Sequence, residues 1–99
     1  MLNIEKTTNA SELTVVLSGR LDTTTAPDLE KELKESLDGV TALTIDMTAL
    51  EYISSAGLRV LLAAQKTMAN QGTMTLTNVN DTIMEIFEVT GFSDILTIV

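Results

Sequence analysis

The stretch EYISSAGLRVLL, residues 51–62, passes from β-forming residues through two adjacent serines into a run spaced as a helix. Tyr52 and Ile53 read as the end of a strand. From residue 55 to residue 68, Leu58, Leu61, Leu62, Gln65 and Met68 recur three and four apart, which is the period of one helix face, and Gly72 follows the end. A strand that enters a helix through a short polar turn is the joint from which α/β layers are built, with strands pairing in parallel and helices covering the sheet. The same joint raises a chemical question, because it places two hydroxyls, Ser54 and Ser55, side by side at a helix start.

Working outward, residues 42–47 (ALTIDM) are short and largely apolar, as expected of a strand covered on both faces. At the chain start Leu2, Ile4 and Lys6 alternate with Asn3 and Glu5 as a short first strand. Residues 13–21, rich in Val15, Val16 and Leu17, read as a second strand, and the polar turn at 8–12 makes the two a hairpin. Thr23, Thr24 and Thr25 before Ala26 and Pro27 form a helix entry: threonine can cap free N–H groups and proline is tolerated in a first turn. Leu29, Leu33 and Leu37 then line one face, while Glu30 with Lys34 and Lys31 with Glu35 are spaced as i,i+4 pairs, and Gly39 ends the helix. Met74 and Leu76 alternate with Thr73, Thr75 and Thr77 in a fourth strand. Residues 80–89 form a third helix with Ile83, Ile86 and Phe87 inward and Gly91 as its stop, and residues 95–99 are a candidate fifth strand. The expected fold is one α/β domain over residues 1–99, with a small mixed sheet of four or five strands and helices mainly on one face.

Ninety-nine residues suffice for one modest core. No stretch approaches the ~20 apolar residues of a membrane span, and the first ten residues lack the apolar core and cleavage site of a signal peptide, so the expectation is a cytoplasmic protein with no direct membrane insertion. The sequence holds no cysteine and no histidine. That excludes disulfides and thiolate metal sites and removes the commonest general base and metal ligand. Carboxylates such as Asp22 and Asp46 are too scattered for a strong transition-metal site, so neither metal nor cofactor is expected. Six basic against 14 acidic residues give a net charge of −8, which argues against nucleic acid or an anionic membrane and leaves proteins as partners, although such a charge also serves solubility.

Three readings of the serines follow. One serine caps the helix by accepting a bond from a free N–H, worth about 1 kcal/mol. A nucleophile is disfavoured: the strand-turn-helix elbow of serine hydrolases carries glycine two residues to each side, whereas Ser55 has Ile53 and Gly57, and there is no histidine to act as base. The third reading is a modification site, since a helix N-terminus tolerates a phosphate and the effect falls on whatever docks beside it. Around the helix Ala56, Val60, Ala63, Ala64 and Thr67 extend the apolar or small surface beyond the main stripe. A helix of that kind is either deeply buried or partly covered by a partner.

With these residues in view, the chain resembles the STAS domain family, and within it the stand-alone bacterial anti-sigma-factor antagonists. The resemblance rests on LSGRLDTTTAPDLEKEL (residues 17–33), LTIDMTALEYISSAGLRVLL (43–62) and NVNDTIMEIFEVTGF (78–92), in that order. It implies a non-catalytic switch. The unmodified antagonist binds an anti-sigma factor, itself a serine kinase, and so releases the sigma factor; phosphorylation ends the binding and a serine phosphatase reverses it. The acceptor position falls on Ser55, with Ser54 as the lesser candidate, and the implied partner surface comprises Asp22, Thr23, Ser54, Ala56, Gly57, Arg59, Val60 and Ala63. One departure stands out: Ser54 occupies the place of an aspartate in well-studied members. A second implied class is a non-catalytic STAS subunit of a membrane transport complex, using the same helix face without phosphorylation.

Overall fold

The computed structural model describes residues 2–99. Its elements run β1 (Leu2–Asn9), β2 (Glu12–Leu21), α1 (Ala26–Ser36), β3 (Ala42–Ile53), α2 (Ser55–Ala69), β4 (Thr73–Thr77) and α3 (Asp81–Thr90), followed by a short 3-10 turn at Phe92–Asp94. The strands form one sheet in the order β1-β2-β3-β4. The β1–β2 hairpin is antiparallel, whereas β2–β3 and β3–β4 are parallel, each joined by a helix, so the sheet is mixed as expected.

Alternation along the strands makes the core. Leu13, Val15 and Leu17 of β2, Leu43, Ile45 and Met47 of β3, and Met74 and Leu76 of β4 are buried; they meet Leu29 and Leu33 of α1, Leu58, Leu61 and Met68 of α2, and Ile83 and Phe87 of α3. The intervening residues Thr14, Val16, Thr44, Asp46 and Thr75 are only half-buried. The expectation that β3 is covered on both faces is therefore corrected. Its apolar look comes from buried Leu43, Ile45 and Met47, while Ala42, Thr44 and Asp46 lie on the open face.

Strand β3 also runs on past Met47 to Ile53. Its pairing with β2 shifts twice, between Val16 and Ser18 and between Gly19 and Arg20, and each shift places one extra residue on β3. Two bulges change the spacing of buried residues from two to three, giving Met47, Leu50 and Ile53. Period-two alternation is thereby lost in the half of the strand that leads to the serines.

The fifth strand does not form. Residues 92–94 make the 3-10 turn and Leu96 turns into the core, so the chain meets β4 only at a single parallel bridge between Leu76 and Ile98. Helix ends follow the expected signals in part: α1 stops at Ser36, before Gly39, and Asn80 lies just outside α3 rather than in it. Asn80 caps α3 by accepting from Ile83 N at 2.9 Å and ties it to β3 by donating to Leu50 O at 2.8 Å; Gly91 ends it in the left-handed conformation at φ 81°. Gly72 has a role beyond ending α2. A Cβ there would stand 1.8 Å from the Thr41 carbonyl oxygen, so only glycine lets β4 start against the residue before β3.

Candidate functional site

The parallel pairing of β2 and β3 brings two turns together at the carboxyl ends of these strands. Leu21 lies opposite Ile53, and Ser54 N donates to Leu21 O at 2.9 Å. The residue after β2 is Asp22 and the residue after β3 is Ser54, so two expected site residues far apart in sequence become neighbours.

The two serines differ in position. Ser54 is extended (φ −98°, ψ 175°), half-buried, and caps α2, its Oγ accepting from Gly57 N at 3.4 Å. Ser55 is the first helical residue and is exposed. Two residues on, Gly57 is buried, and a Cβ there would stand 2.7 Å from Leu21 Cγ and 2.9 Å from Ile53 Cγ1. Its missing side chain lets the start of α2 sit directly on the ends of both strands.

Asp22 is committed to its own turn. Its Oδ1 accepts from the Thr24 hydroxyl at 2.7 Å and from the amides of Thr24 and Thr25 at 3.0 and 3.1 Å. The Thr24 hydroxyl is the largest cause holding the Asp22 carboxyl below its ordinary value; desolvation opposes it and the Thr25 and Thr24 amides reinforce it. Thr25 stands at the start of α1 but does not cap it through its side chain. Its hydroxyl instead accepts from Asp22 N at 2.9 Å and donates to Arg20 O at 2.9 Å, so the threonine capping expected at this helix entry is replaced by a lock on the turn.

Arg20 and Tyr52, which sequence reasoning did not select, border the same place. They face each other across β2 and β3, with the guanidinium carbon 4.5 Å from the ring centroid and Arg20 Nε 3.9 Å from Asp22 Oδ2. The available signal was strand parity, since Leu21 and Ile53 point inward and their predecessors outward, but the bulges hide it.

The remaining site residues sort by accessibility. Thr23, Ala56, Arg59 and Val60 line a groove of about 190 Å³ between the starts of α1 and α2, together with Ala26, Pro27 and Glu30. Val60 is its floor, being 6% exposed, while Thr23 and Arg59 are exposed at the rim. Ala63, also exposed, lines a second groove of about 290 Å³ farther along the same helices, with Val60 and Glu30 common to both. Gly57, like Val60, is buried. The second apolar side of α2 is thus covered in part within the domain: Val60 and Ala64 are buried, whereas Ala63 and Thr67 are exposed. Of the first half of α2, Ser55, Arg59 and Ala63 are exposed and Ala56 and Leu62 half-buried.

Among the described residues no group of three or more Asp or Glu is placed to hold a metal ion, and no helix is long and apolar enough to cross a membrane.

The family model of the STAS domain matches residues 2–99. The chain belongs to the STAS domain family. A Listeria monocytogenes protein named anti-sigma-B factor antagonist is 31% identical over 96 residues, covering 94% of this chain and 83% of that protein. The crystal structure of an anti-sigma factor antagonist from Mycobacterium paratuberculosis superposes with a TM-score of 0.89 at 23% identity, covering 99% of this STAS domain and 85% of that chain. SpoIIAA, a Bacillus cell fate determinant, matches in its unphosphorylated form with a TM-score of 0.76 and in its phosphorylated form with 0.74, each at 18% identity over 100% of this chain and over 87% and 91% of theirs. The sheet order and helix placement described above are therefore those of the STAS fold, with Ser54 and Ser55 at its β3–α2 turn.

Proposed function

We propose that this STAS domain is an anti-sigma-factor antagonist: a cytoplasmic, non-catalytic binding module switched by phosphorylation of Ser55. In this reading the unmodified protein holds an anti-sigma factor that is also its serine kinase, and a serine phosphatase restores the unmodified state. The relative named as an anti-sigma-B factor antagonist supports the function class. The observation that carries the residue assignment is the division of labour between the hydroxyls. Ser54 is engaged as the helix cap, whereas Ser55 is exposed at the helix start, open to a kinase and flanked by the groove of Thr23, Ala56 and Arg59.

The energetics suit a switch. A phosphate at the first residue of α2 is compatible with the helix dipole, so the fold changes little. A partner surface packed over Ser55 would have to desolvate a dianion, at a cost on the order of several kcal/mol at the interface. The test is phosphorylation by the partner kinase followed by intact-mass measurement, paired with binding by calorimetry. Ser55→Ala is expected to bind the partner and resist labelling, Ser54→Ala to remain a substrate, and Ser55→Asp to bind weakly while melting within a few degrees of wild type. Labelling of Ser55→Ala but not of Ser54→Ala overturns the residue assignment, and a wild-type protein labelled on neither serine overturns the switch.

A further inference from the structure

The basic residues of this acidic chain are engaged to different degrees. Lys6 is paired with Glu32 at 2.6 Å, Arg20 lies over Tyr52 and reaches toward Asp22, and Lys34 stands 3.7 Å from Glu30. Arg59 is exposed and, among the described residues, takes part in no ion pair. It follows Ser55 by four positions on α2, so the two side chains share one helix face with Cβ atoms about 5–6 Å apart. Long side chains on a helix lean back toward its N-terminus, which in α2 carries the Arg59 guanidinium toward Ser55. Arg59 is also the cation of the smaller groove, opposite Thr23 and beside Ala56, and the first turn of α2 has no acidic residue to compete for it.

We infer that Arg59 receives the phosphate on Ser55, a role that rests on reading Ser55 as the acceptor. In the transfer, the Ser55 oxygen forms the new bond to phosphorus, the bond between the terminal and second phosphates of a kinase-bound nucleoside triphosphate breaks, the diphosphate leaves, and the hydroxyl proton passes to the kinase's general base. The dianion then lies one helical turn from a guanidinium whose planar fork offers two N–H bonds to phosphoryl oxygens. Pairing draws the phosphate against the mouth of the α1–α2 groove and uses up the cation there. Modification would thus change two features of the docking face together, adding a charged group and withdrawing the exposed guanidinium. The nearby carboxylates have other partners: Glu30, across the groove, faces Lys34, and Asp22 holds the Thr24 and Thr25 bonds of its turn. Arg59 is in this sense a positioning residue for the switch and takes no part in the transfer.

The experiment uses the full chain with phosphoserine introduced at position 55 by genetic encoding, so that no kinase is needed. Phosphorus NMR follows the second phosphate ionisation, near pH ~6, in the Arg59 protein and in its Arg59→Lys and Arg59→Ala variants. Arg59 is exposed and alanine is a better helix former, so both variants should fold. Ionisation about 0.3 pH lower or more with Arg59 than with Arg59→Ala, Lys falling between, and loss of the difference at about 1 M salt are expected. The same ionisation in all three proteins, or a difference that survives salt unchanged, overturns the inference. Because the phosphoserine is installed directly, this outcome is independent of the kinase assay, in which lack of labelling counts against Ser55 as acceptor.

Discussion

The two strand-to-helix turns lie side by side and are held together by opposite means. After β2, the Asp22 carboxylate gathers the Thr24 hydroxyl and the Thr24 and Thr25 amides, and the Thr25 hydroxyl bridges Asp22 N and Arg20 O. After β3, the side-chain contribution is one long bond, Gly57 N to Ser54 Oγ at 3.4 Å, and the joint is made by the close approach of Gly57 to Leu21 and Ile53. The first turn uses its polar groups internally. The second is positioned by shape, which leaves the hydroxyl of Ser55 uncommitted. Parallel pairing of neighbouring strands sets both kinds of turn at one end of the sheet.

The contrast can be broken most directly at Gly57. Placing valine there drives a branched side chain into Leu21 and Ile53, and urea denaturation should show a loss of about 3 kcal/mol, with alanine less damaging because its better helix propensity offsets part of the clash. On the polar turn the corresponding substitution is Thr25→Val. Thr25 is 8% exposed, and removing its hydroxyl leaves Asp22 N and Arg20 O without their partner, for an expected loss of about 1–2 kcal/mol.

Acid should separate the turns as well. The Asp22 carboxyl is held below its ordinary value of 3.8, so its stabilising contribution is present above the unfolded-state value and is lost as pH falls through the lower folded-state value. Denaturation midpoints of wild type and Asp22→Asn are expected to differ at neutral pH, with wild type the more stable, and to converge as pH drops below the ordinary value. A gap that persists at the acid end would mean the turn does not depend on the ionised carboxylate. Smallest of all should be the serine substitutions. Ser54→Ala removes a long cap bond and should cost about 0.5 kcal/mol, at the low end for such caps. Ser55→Ala, at an exposed site, should stay within about 0.5 kcal/mol of wild type in either direction.

Much of this arrangement was legible in the sequence, and the parts that were not share a physical cause. Some helix ends followed from local chemistry: Pro27 in the first turn of α1 and Gly91 as the left-handed stop of α3 lie where short-range rules put them, whereas Thr25 does not cap α1 through its side chain and Asn80, read as helical, is the cap of α3. The second half of β3 was hidden because two bulges replace alternation by a three-residue spacing, and a bulge exists only relative to the strand beside it. Residues 95–99 have β-forming composition, yet burial of Leu96 and the turn at 92–94 allow them only one bridge to β4. The apolar second side of α2 suggested a partner, and part of its cover turned out to be internal. Val60 and Ala64 are buried, and both line the groove that α2 shares with Leu33 of α1 and with Leu37 just after it. Whether an apolar residue meets its own core or another protein depends on where the next helix lies, which no local pattern records.

By itself the sequence determined the order of the four strands and three helices up to residue 90, the absence of cysteine and histidine chemistry, and the presence of two hydroxyls where a strand becomes a helix, since each follows from residue identity or from spacing within a few turns of chain. Only the tertiary structure decided which hydroxyl caps and which stays open, that Asp22 stands beside Ser54, that Arg20 stacks on Tyr52, and that Gly57 lies where a Cβ would run into Leu21 and Ile53. Those outcomes depend on the register of β2 against β3 and on the seating of α2 over both, and register is settled by the burial of whole faces across the sheet, where moving a strand by one residue would turn its buried side chains out to water.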